Sequence, residues 1–145
     1  MRGPQREAVY TLAMLFSLVG LGDAIYLTVQ HLNGQSVRCA IVTGCSTVLA
    51  SRYSTLLGIP TAAFGVAAYF TAFSLATLAR YGSRPAARLL PLVVAVMLAM
   101  TGWLLYLQAF VLRAFCTWCL LSAAMTILLT LLVLAERLIG RRTSV

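Results

Sequence analysis

The chain has 145 residues, of which 61% are hydrophobic and only 10% are charged, and its mean hydropathy is +0.94. These values exclude an ordinary soluble globular protein and predict one membrane domain over residues 1–145. The net charge of +8 does not indicate nucleic-acid binding, because the basic residues flank apolar runs and form no patch interleaved with aromatic residues.

Four apolar segments follow one another, each close to the ~20 residues that cross ~30 Å of hydrocarbon. They comprise residues 8–30, 56–79, 87–111 and 116–138. The first is longer than the apolar part of a signal peptide and has no clean cleavage motif, so we interpret it as a retained span. Pro60 and Pro91 are expected in first turns of helices, where a missing N–H costs least. The predicted fold is an all-α bundle of four transmembrane helices, with an extracytoplasmic loop at 31–55 between the first two.

The arginines predict the orientation of this bundle. Eight lie near the termini or between the second and third spans, namely Arg2, Arg6, Arg80, Arg84, Arg88, Arg137, Arg141 and Arg142. Three lie on the other side, namely Arg38, Arg52 and Arg113. The positive-inside rule then places both termini in the cytoplasm and all four cysteines outside. In bacteria the outer side of the inner membrane is where disulfides persist, so this membrane is the predicted location.

Cys116 and Cys119 form a C-x-x-C motif at the start of the fourth span. At positions i and i+3 their sulfurs share a helix face and can form a short disulfide. The helix N-terminus and the nearby Arg113 favour a thiolate at Cys116. We expect Cys116 to be exposed and Cys119 to be buried against the bundle interior. Leu120 excludes the C-x-x-C-H motif of haem attachment.

Cys39 and Cys45 form a second pair in the polar loop, where Thr43 and Gly44 permit a tight turn. A reversible disulfide and a permanent structural disulfide are both compatible with this spacing. Two pairs on one side of the membrane favour transfer of a disulfide between them over burial of cysteines as small apolar residues. They also favour it over a zinc site, which rarely takes half its ligands from a transmembrane helix, and no metal site is predicted.

Further motifs accompany the cysteines and carry a family resemblance. The loop Cys39…Gly44-Cys45-Ser46 is followed by Val48-Leu49-x-Ser51-x-Tyr53-Ser54, by Gly58-Ile59-Pro60 with Phe64-Gly65, and by Cys116-x-x-Cys119. This order of motifs, over about residues 18–124, is similar to the vitamin K epoxide reductase family and its bacterial disulfide-forming homologues. The resemblance implies a quinone-dependent thiol oxidoreductase.

The resemblance also implies a relay. A separate thioredoxin-like protein outside the membrane would give electrons to the loop pair through Cys39. Cys45 would then exchange with Cys116, and the C-x-x-C pair would pass two electrons to a quinone of the menaquinone or ubiquinone type beside Cys119. Thiolate attack and mixed disulfides account for the exchange steps, and an apolar quinone suits a cavity in the bundle.

The same resemblance places Ser51, Thr61 and Phe64 at the quinone site, although Ser51 is equally compatible with capping a loop helix. In vertebrate members an Asn and a Tyr hold the quinone carbonyls, and their positions fall on Thr61 and Ala123 here. Alanine cannot donate a hydrogen bond, so the resemblance favours a plain quinone acceptor over epoxide reduction. Asp23, the only acidic residue well inside a predicted span, is interpreted as a structural hydrogen-bonding group or as a proton relay, with the structural role favoured.

Three other functions are less well supported by the cysteine pattern. Vitamin K epoxide or quinone reduction is one alternative. The other type of bacterial quinone-linked disulfide oxidase has its C-x-x-C before the widely spaced pair, which is the reverse of the order here. A thiol-based metal-ion transporter would need cysteines along a path to the cytoplasm, whereas all four are predicted on the outer face. His31, at the outer end of the first span, is interpreted as a solvated interface residue.

Overall fold

The computed structural model describes residues 3–34 and 45–143, so Cys39 and most of its loop lie outside the described residues. Within these ranges the helices are α1 (Pro4–Leu32), α2 (Cys45–Ala50), α3 (Thr61–Arg80), α4 (Arg84–Tyr106) and α5 (Thr117–Thr143). All but α2 are long and apolar enough to cross a membrane, and α4 continues to Val111 as a short π-helix. The predicted all-α fold with four membrane helices is confirmed.

The second membrane helix begins later than predicted, at Thr61, because a small hairpin occupies the preceding residues. A 3-10 turn at Arg52–Ser54 leads into β1 (Thr55–Leu56), which pairs antiparallel with β2 (Ile59–Pro60). Leu57 and Gly58 connect the strands with φ angles of +53° and +80°. Two residues with positive φ form the tight turn whose twist matches a hairpin. The predicted span began at position 56 because the residues of this hairpin are also apolar.

The third membrane helix begins earlier than predicted, at Arg84. The Oγ of Ser83 accepts a hydrogen bond from the N–H of Ala86 at 3.4 Å, which caps the helix, and Pro85 lies in its first turn. Pro91 therefore lies inside α4, and the prediction that it occupies a first turn is wrong. The signal missed was the capping serine, which starts the helix ahead of the apolar run.

Small residues allow α1 and α3 to approach each other closely. Ala72, Ala76 and Ala79 on α3 are buried at 0–2% exposure, in the spacing that forms one face of a helix. On α1, Gly20 lies directly against the ring of Tyr69, where a Cβ atom would overlap the ring. Close packing of small residues is a common way for helices to associate in lipid, where no hydrophobic effect drives them together.

The first and last helices are tied at the end of the bundle opposite the cysteines. The Nη2 atom of Arg6 on α1 donates to Oε1 of Glu136 on α5 at 2.6 Å. Tyr69 connects α3 to α5 within the bundle, since its hydroxyl donates to the carbonyl of Ser122 at 2.7 Å and lies 3.0 Å from Oγ1 of Thr126. These contacts fix α5, and with it the C-x-x-C motif, relative to the other helices.

Candidate active site

Three of the four cysteines come together at one end of the bundle. Cys45 begins α2 and is 1% exposed, while Cys116 directly precedes α5 and is 0% exposed. Both belong to a buried cluster with Leu27 of α1, and Cys119 packs against that cluster. Cys45 is disulfide-bonded, whereas Cys116 and Cys119 are free thiols. The predicted position of Cys39 lies outside the described residues.

The predicted exposure of the C-x-x-C pair is wrong in the structure. Cys116 is fully buried and Cys119 is partly exposed, the reverse of the expectation. Position along the helix suggested that the first cysteine would face water. The physical reason for the difference is that α2 and Leu27 cover Cys116, whereas Cys119 faces a cavity between the helices.

Cys116 has the electrostatic environment of a stabilised thiolate. Its carbonyl accepts the N–H of Leu120 at 2.9 Å, so it occupies the cap position of α5. The pKa of Cys116 is lowered, first by the hydrogen bond from the Cys119 thiol and then by the N–H groups of Cys119 and Trp118, which together outweigh burial. Arg113 is exposed and is not among the groups that lower this pKa, contrary to the prediction. The neighbouring Cys119 thiol and the helix start supply the expected effect.

Gln108 holds Cys116 in place and was missed by the sequence analysis. Its side chain is 3% exposed, and its Oε1 accepts the backbone N–H of Cys116 at 3.1 Å. It lies in the π-helix Leu107–Val111, a distortion that is frequent at functional sites. Its own carbonyl also accepts the N–H of Ala114 at 3.0 Å. The available signal was an amide side chain in the otherwise apolar end of the third span.

A cavity of about 130 Å³ opens between the helices beside Cys119. Its lining is mainly apolar and includes Leu27 of α1, with Gln108 and Ser122 among the few polar groups. An apolar cavity of about 150 Å³ is enough to admit benzene, so this one suits a single ring. A quinone head group is therefore compatible with the residues present, with the partly exposed Cys119 thiol in the wall.

The residues predicted to bind quinone are only partly brought together. Ser51 and Thr61 line the cavity, as does Ala123, while Phe64 is 42% exposed and is not part of the lining. The Ser51 hydroxyl donates to the carbonyl of Val48 at 2.7 Å and does not cap the following turn. Thr61 donates to the carbonyl of Tyr53 at 3.1 Å, so its proton is already engaged. Neither hydroxyl is therefore a ready donor to a quinone carbonyl.

Asp23 and His31 also line the cavity. Asp23 is 6% exposed, and both of its carboxylate oxygens are buried without a hydrogen-bond partner among the described residues. The favoured interpretation of Asp23, a structural hydrogen bond to a neighbouring hydroxyl, is therefore wrong. The physical reason is that the buried hydroxyl nearby, that of Tyr69, is engaged by Ser122 and Thr126. His31 is half-buried.

Comparison with known families agrees with this geometry. The model of the vitamin K epoxide reductase family matches residues 11–134, which is most of the chain. The chain belongs to the vitamin K epoxide reductase family. Membership makes it a membrane oxidoreductase of thiol and quinone-related chemistry, and the resemblance carried by the motifs is confirmed.

Proposed function

We propose that this member of the vitamin K epoxide reductase family is a quinone-dependent thiol oxidase that supports disulfide formation. It reoxidises a separate thioredoxin-like protein, accepting electrons at Cys39 and Cys45 and passing them through Cys116 and Cys119. The observation that carries the proposal is the continuity of the site. Buried Cys45 and Cys116 share one cluster, and Cys119 extends from that cluster to a ring-sized cavity.

The environment of Cys116 supports the exchange step. When Cys45 is joined to Cys116 in a mixed disulfide, attack by Cys39 on Cys45 forms the loop disulfide and releases Cys116 as a thiolate. A leaving thiol with a lowered pKa departs faster, and Cys116 has such a pKa. Gln108 fixes the backbone of Cys116 throughout. The exchange therefore requires little rearrangement at the helix start.

The cavity residues support a plain quinone as the acceptor. A bound quinone supplies the two-electron oxidising equivalent that converts the Cys116–Cys119 dithiol to a disulfide. Leu27 and its apolar neighbours would surround the ring. Ala123 in the wall offers no hydrogen bond, and Thr61 already donates to Tyr53. Without a free donor at these two positions, which hold the carbonyl oxygens in vertebrate members, the lining favours a plain quinone as acceptor, and with it disulfide formation over epoxide reduction.

A location in the bacterial inner membrane, with both termini in the cytoplasm, belongs to the same proposal. The arginine distribution supports it, because the eight-arginine side is the end where Arg6 and Glu136 join α1 to α5. The cysteines lie at the opposite end. Metal transport is less well supported, since the described cysteines lie together at one end of the bundle and none of them marks a path to the other end.

The test is quinone-dependent oxidation of a thioredoxin-like dithiol protein by the purified enzyme in lipid nanodiscs. We expect Cys119→Ala to abolish quinone reduction, with Gly22→Ala as the matched control, because a Cβ at Gly22 meets no atom within 4 Å. Full activity in Cys119→Ala would refute the relay. Parallel assays with vitamin K epoxide as substrate distinguish the epoxide reductase alternative.

A trapping experiment tests the order of the relay. In Cys39→Ala the mixed disulfide between Cys45 and Cys116 lacks the loop thiol that resolves it in the forward direction, and only reversal by Cys119 releases Cys45, so a non-reducing digest should contain this crosslink. The double variant Cys39→Ala/Cys116→Ala is the control and should lack it. Recovery of Cys45 joined only to external thiols would contradict the assignment of Cys45 as the exchanging cysteine.

A further inference from the structure

Asp23 is a buried carboxyl group in the wall of the cavity that holds Cys119. It lies within α1, is 6% exposed, and lines the cavity together with Cys119 and Ser122. The sulfur of Cys119, one of the reacting atoms, and a titratable group therefore share one small space.

Asp23 makes no hydrogen bond that would explain its presence in the fold. Both carboxylate oxygens are buried and unpartnered among residues 3–34 and 45–143. The Thr28 hydroxyl of the same helix donates to the carbonyl of Ala24 at 2.7 Å, and that of Tyr69 is bound to α5. A buried polar group without a partner costs about 1–3 kcal/mol. An acidic side chain inside a membrane span at such a cost indicates a role in chemistry.

Four other polar groups of the cavity are poorly suited to supply protons. The hydroxyls of Ser51, Ser54 and Thr61 each donate to a backbone carbonyl, at 2.7, 2.8 and 3.1 Å. The Oε1 atom of Gln108 is occupied by the N–H of Cys116, and an amide does not exchange protons readily at neutral pH. Asp23 is the carboxyl group among the lining residues and can both give and take a proton.

We propose that Asp23 is the proton-transfer residue of the quinone cavity, an inference that rests on the proposed function. In the overall reaction the Cys116 thiolate and the Cys119 thiol lose two electrons and one proton, one S–S bond forms, and a bound quinone would gain two electrons and two protons to leave as a quinol. Asp23, as a neutral acid, would give one proton to a carbonyl oxygen of the quinone and then take the proton released by the Cys119 thiol, so Asp23 ends the cycle unchanged. The second proton of the quinol would come from solvent, which balances the reaction.

The cavity also connects Asp23 to the cysteine end of α1. Asp23, Leu27 and His31 are spaced at i, i+4 and i+8, share one face of α1, and all line the cavity. Eight residues of helix span about 12 Å. The second proton of the quinol can therefore enter along this face, from the side on which His31 is half-buried.

The test compares Asp23→Asn, which keeps the shape of the side chain, with Ser17→Ala. Ser17 is the matched control because it lies on the same helix, is 0% exposed, has a buried unpartnered hydroxyl, and does not line the cavity. With a short-chain quinone we expect kcat of Asp23→Asn to fall on the order of 10²-fold, the usual contribution of a positioned acid–base group. The KM for quinone should be unchanged, Asp23→Glu should recover part of kcat, and Ser17→Ala should match the wild type.

Two readouts do not rely on measuring quinol formation. Alkylation of free thiols during steady state should show Cys116 and Cys119 accumulating in reduced form in Asp23→Asn, while their reduction by the dithiol partner proceeds at the wild-type rate. Thermal unfolding without quinone should show Asp23→Asn about as stable as the wild type, because one unpartnered polar group is replaced by another of the same shape and no hydrogen bond is lost. A large loss of stability would instead assign Asp23 a structural role and overturn the inference.

The outcomes separate the two proposals. If the wild type does not reduce quinone, the proposed function fails. If the wild type reduces quinone and Asp23→Asn does so equally fast, only the role of Asp23 is refuted. A fall in kcat that Asp23→Glu does not relieve at all, with KM raised in parallel, would identify a contribution to binding and would also overturn proton transfer.

Discussion

Replacement of Gly20 by alanine tests the close approach of α1 and α3 on which the site depends. A Cβ at position 20 would lie 2.6 Å from Cδ1 of Tyr69 and closer still to Cε1. The ring cannot turn aside freely, because its hydroxyl is bound to Ser122 and Thr126 on α5. Either the helices separate or these hydrogen bonds break. We therefore expect Gly20→Ala to destabilise the bundle.

The loss of stability in Gly20→Ala is best measured against that in Gly22→Ala. Gly22 lies two residues along the same helix, and an added Cβ there meets nothing within 4 Å. Alanine improves helix propensity over glycine by about 0.8–1.0 kcal/mol at both positions, so that gain cancels in the comparison. Overpacking a tight contact costs about 1–3 kcal/mol. Gly20→Ala should therefore be about 1–3 kcal/mol less stable than Gly22→Ala.

The assay is reversible unfolding of each variant in mixed micelles by a denaturing detergent. The same two substitutions are also made in a Tyr69→Ala background, which completes a double-mutant cycle. In that background the loss of stability caused by Gly20→Ala should largely disappear, because the obstructing ring is gone. Equal stabilities of Gly20→Ala and Gly22→Ala would refute the packing argument. A cost that persists without the Tyr69 ring would also refute it.

Two further predictions concern the cysteine turn and the opposite end of the bundle. Gln108→Leu leaves the buried N–H of Cys116 unpaired, which should lower the free energy of unfolding by about 1–3 kcal/mol and slow formation of the Cys45–Cys116 crosslink. Thr101→Val alters the same cavity wall and serves as the control. Equal crosslinking rates in the two variants would contradict the role of Gln108. Glu136→Gln removes the ion pair with Arg6 and should cost no more than about 1 kcal/mol, because the Arg6 side chain is 38% exposed. The exposed Glu7→Gln is its control, and a loss that does not shrink in high salt would argue against an ionic contact.

Hydropathy and arginine positions were sufficient to predict the four membrane helices, because crossing a bilayer requires a long apolar run whatever its neighbours are. The same signal could not distinguish a helix from the apolar hairpin before Thr61. That distinction depends on the backbone of Leu57 and Gly58, which turns the chain with positive φ angles. Helix ends were likewise set by single groups such as the capping Ser83.

The arginine distribution also predicted that the cysteines lie at one end of the bundle, as the three described ones do, but not which of them would be accessible. A cysteine at a helix start is expected to meet solvent unless another segment covers it. Here the cover is provided by Leu27, 89 positions before Cys116 in the sequence, and by α2. Gln108 was missed for the same reason, because its importance comes from the Cys116 N–H that it binds across the turn. Contacts between distant segments decide these features.

The burial of Cys45 and Cys116 argues for an indirect route of electrons into the membrane domain. With 0–1% of their surfaces exposed, neither presents a sulfur atom that a folded external protein can attack in line. Cys119 is accessible, but only through a mainly apolar cavity of about 130 Å³, which admits a ring and excludes a protein. A protein dithiol must therefore react at the loop, through Cys39 in our proposal, before electrons reach the C-x-x-C pair. In the proposed relay, this separation would keep the reduced C-x-x-C pair from reacting with external disulfides, so that its electrons pass to the quinone.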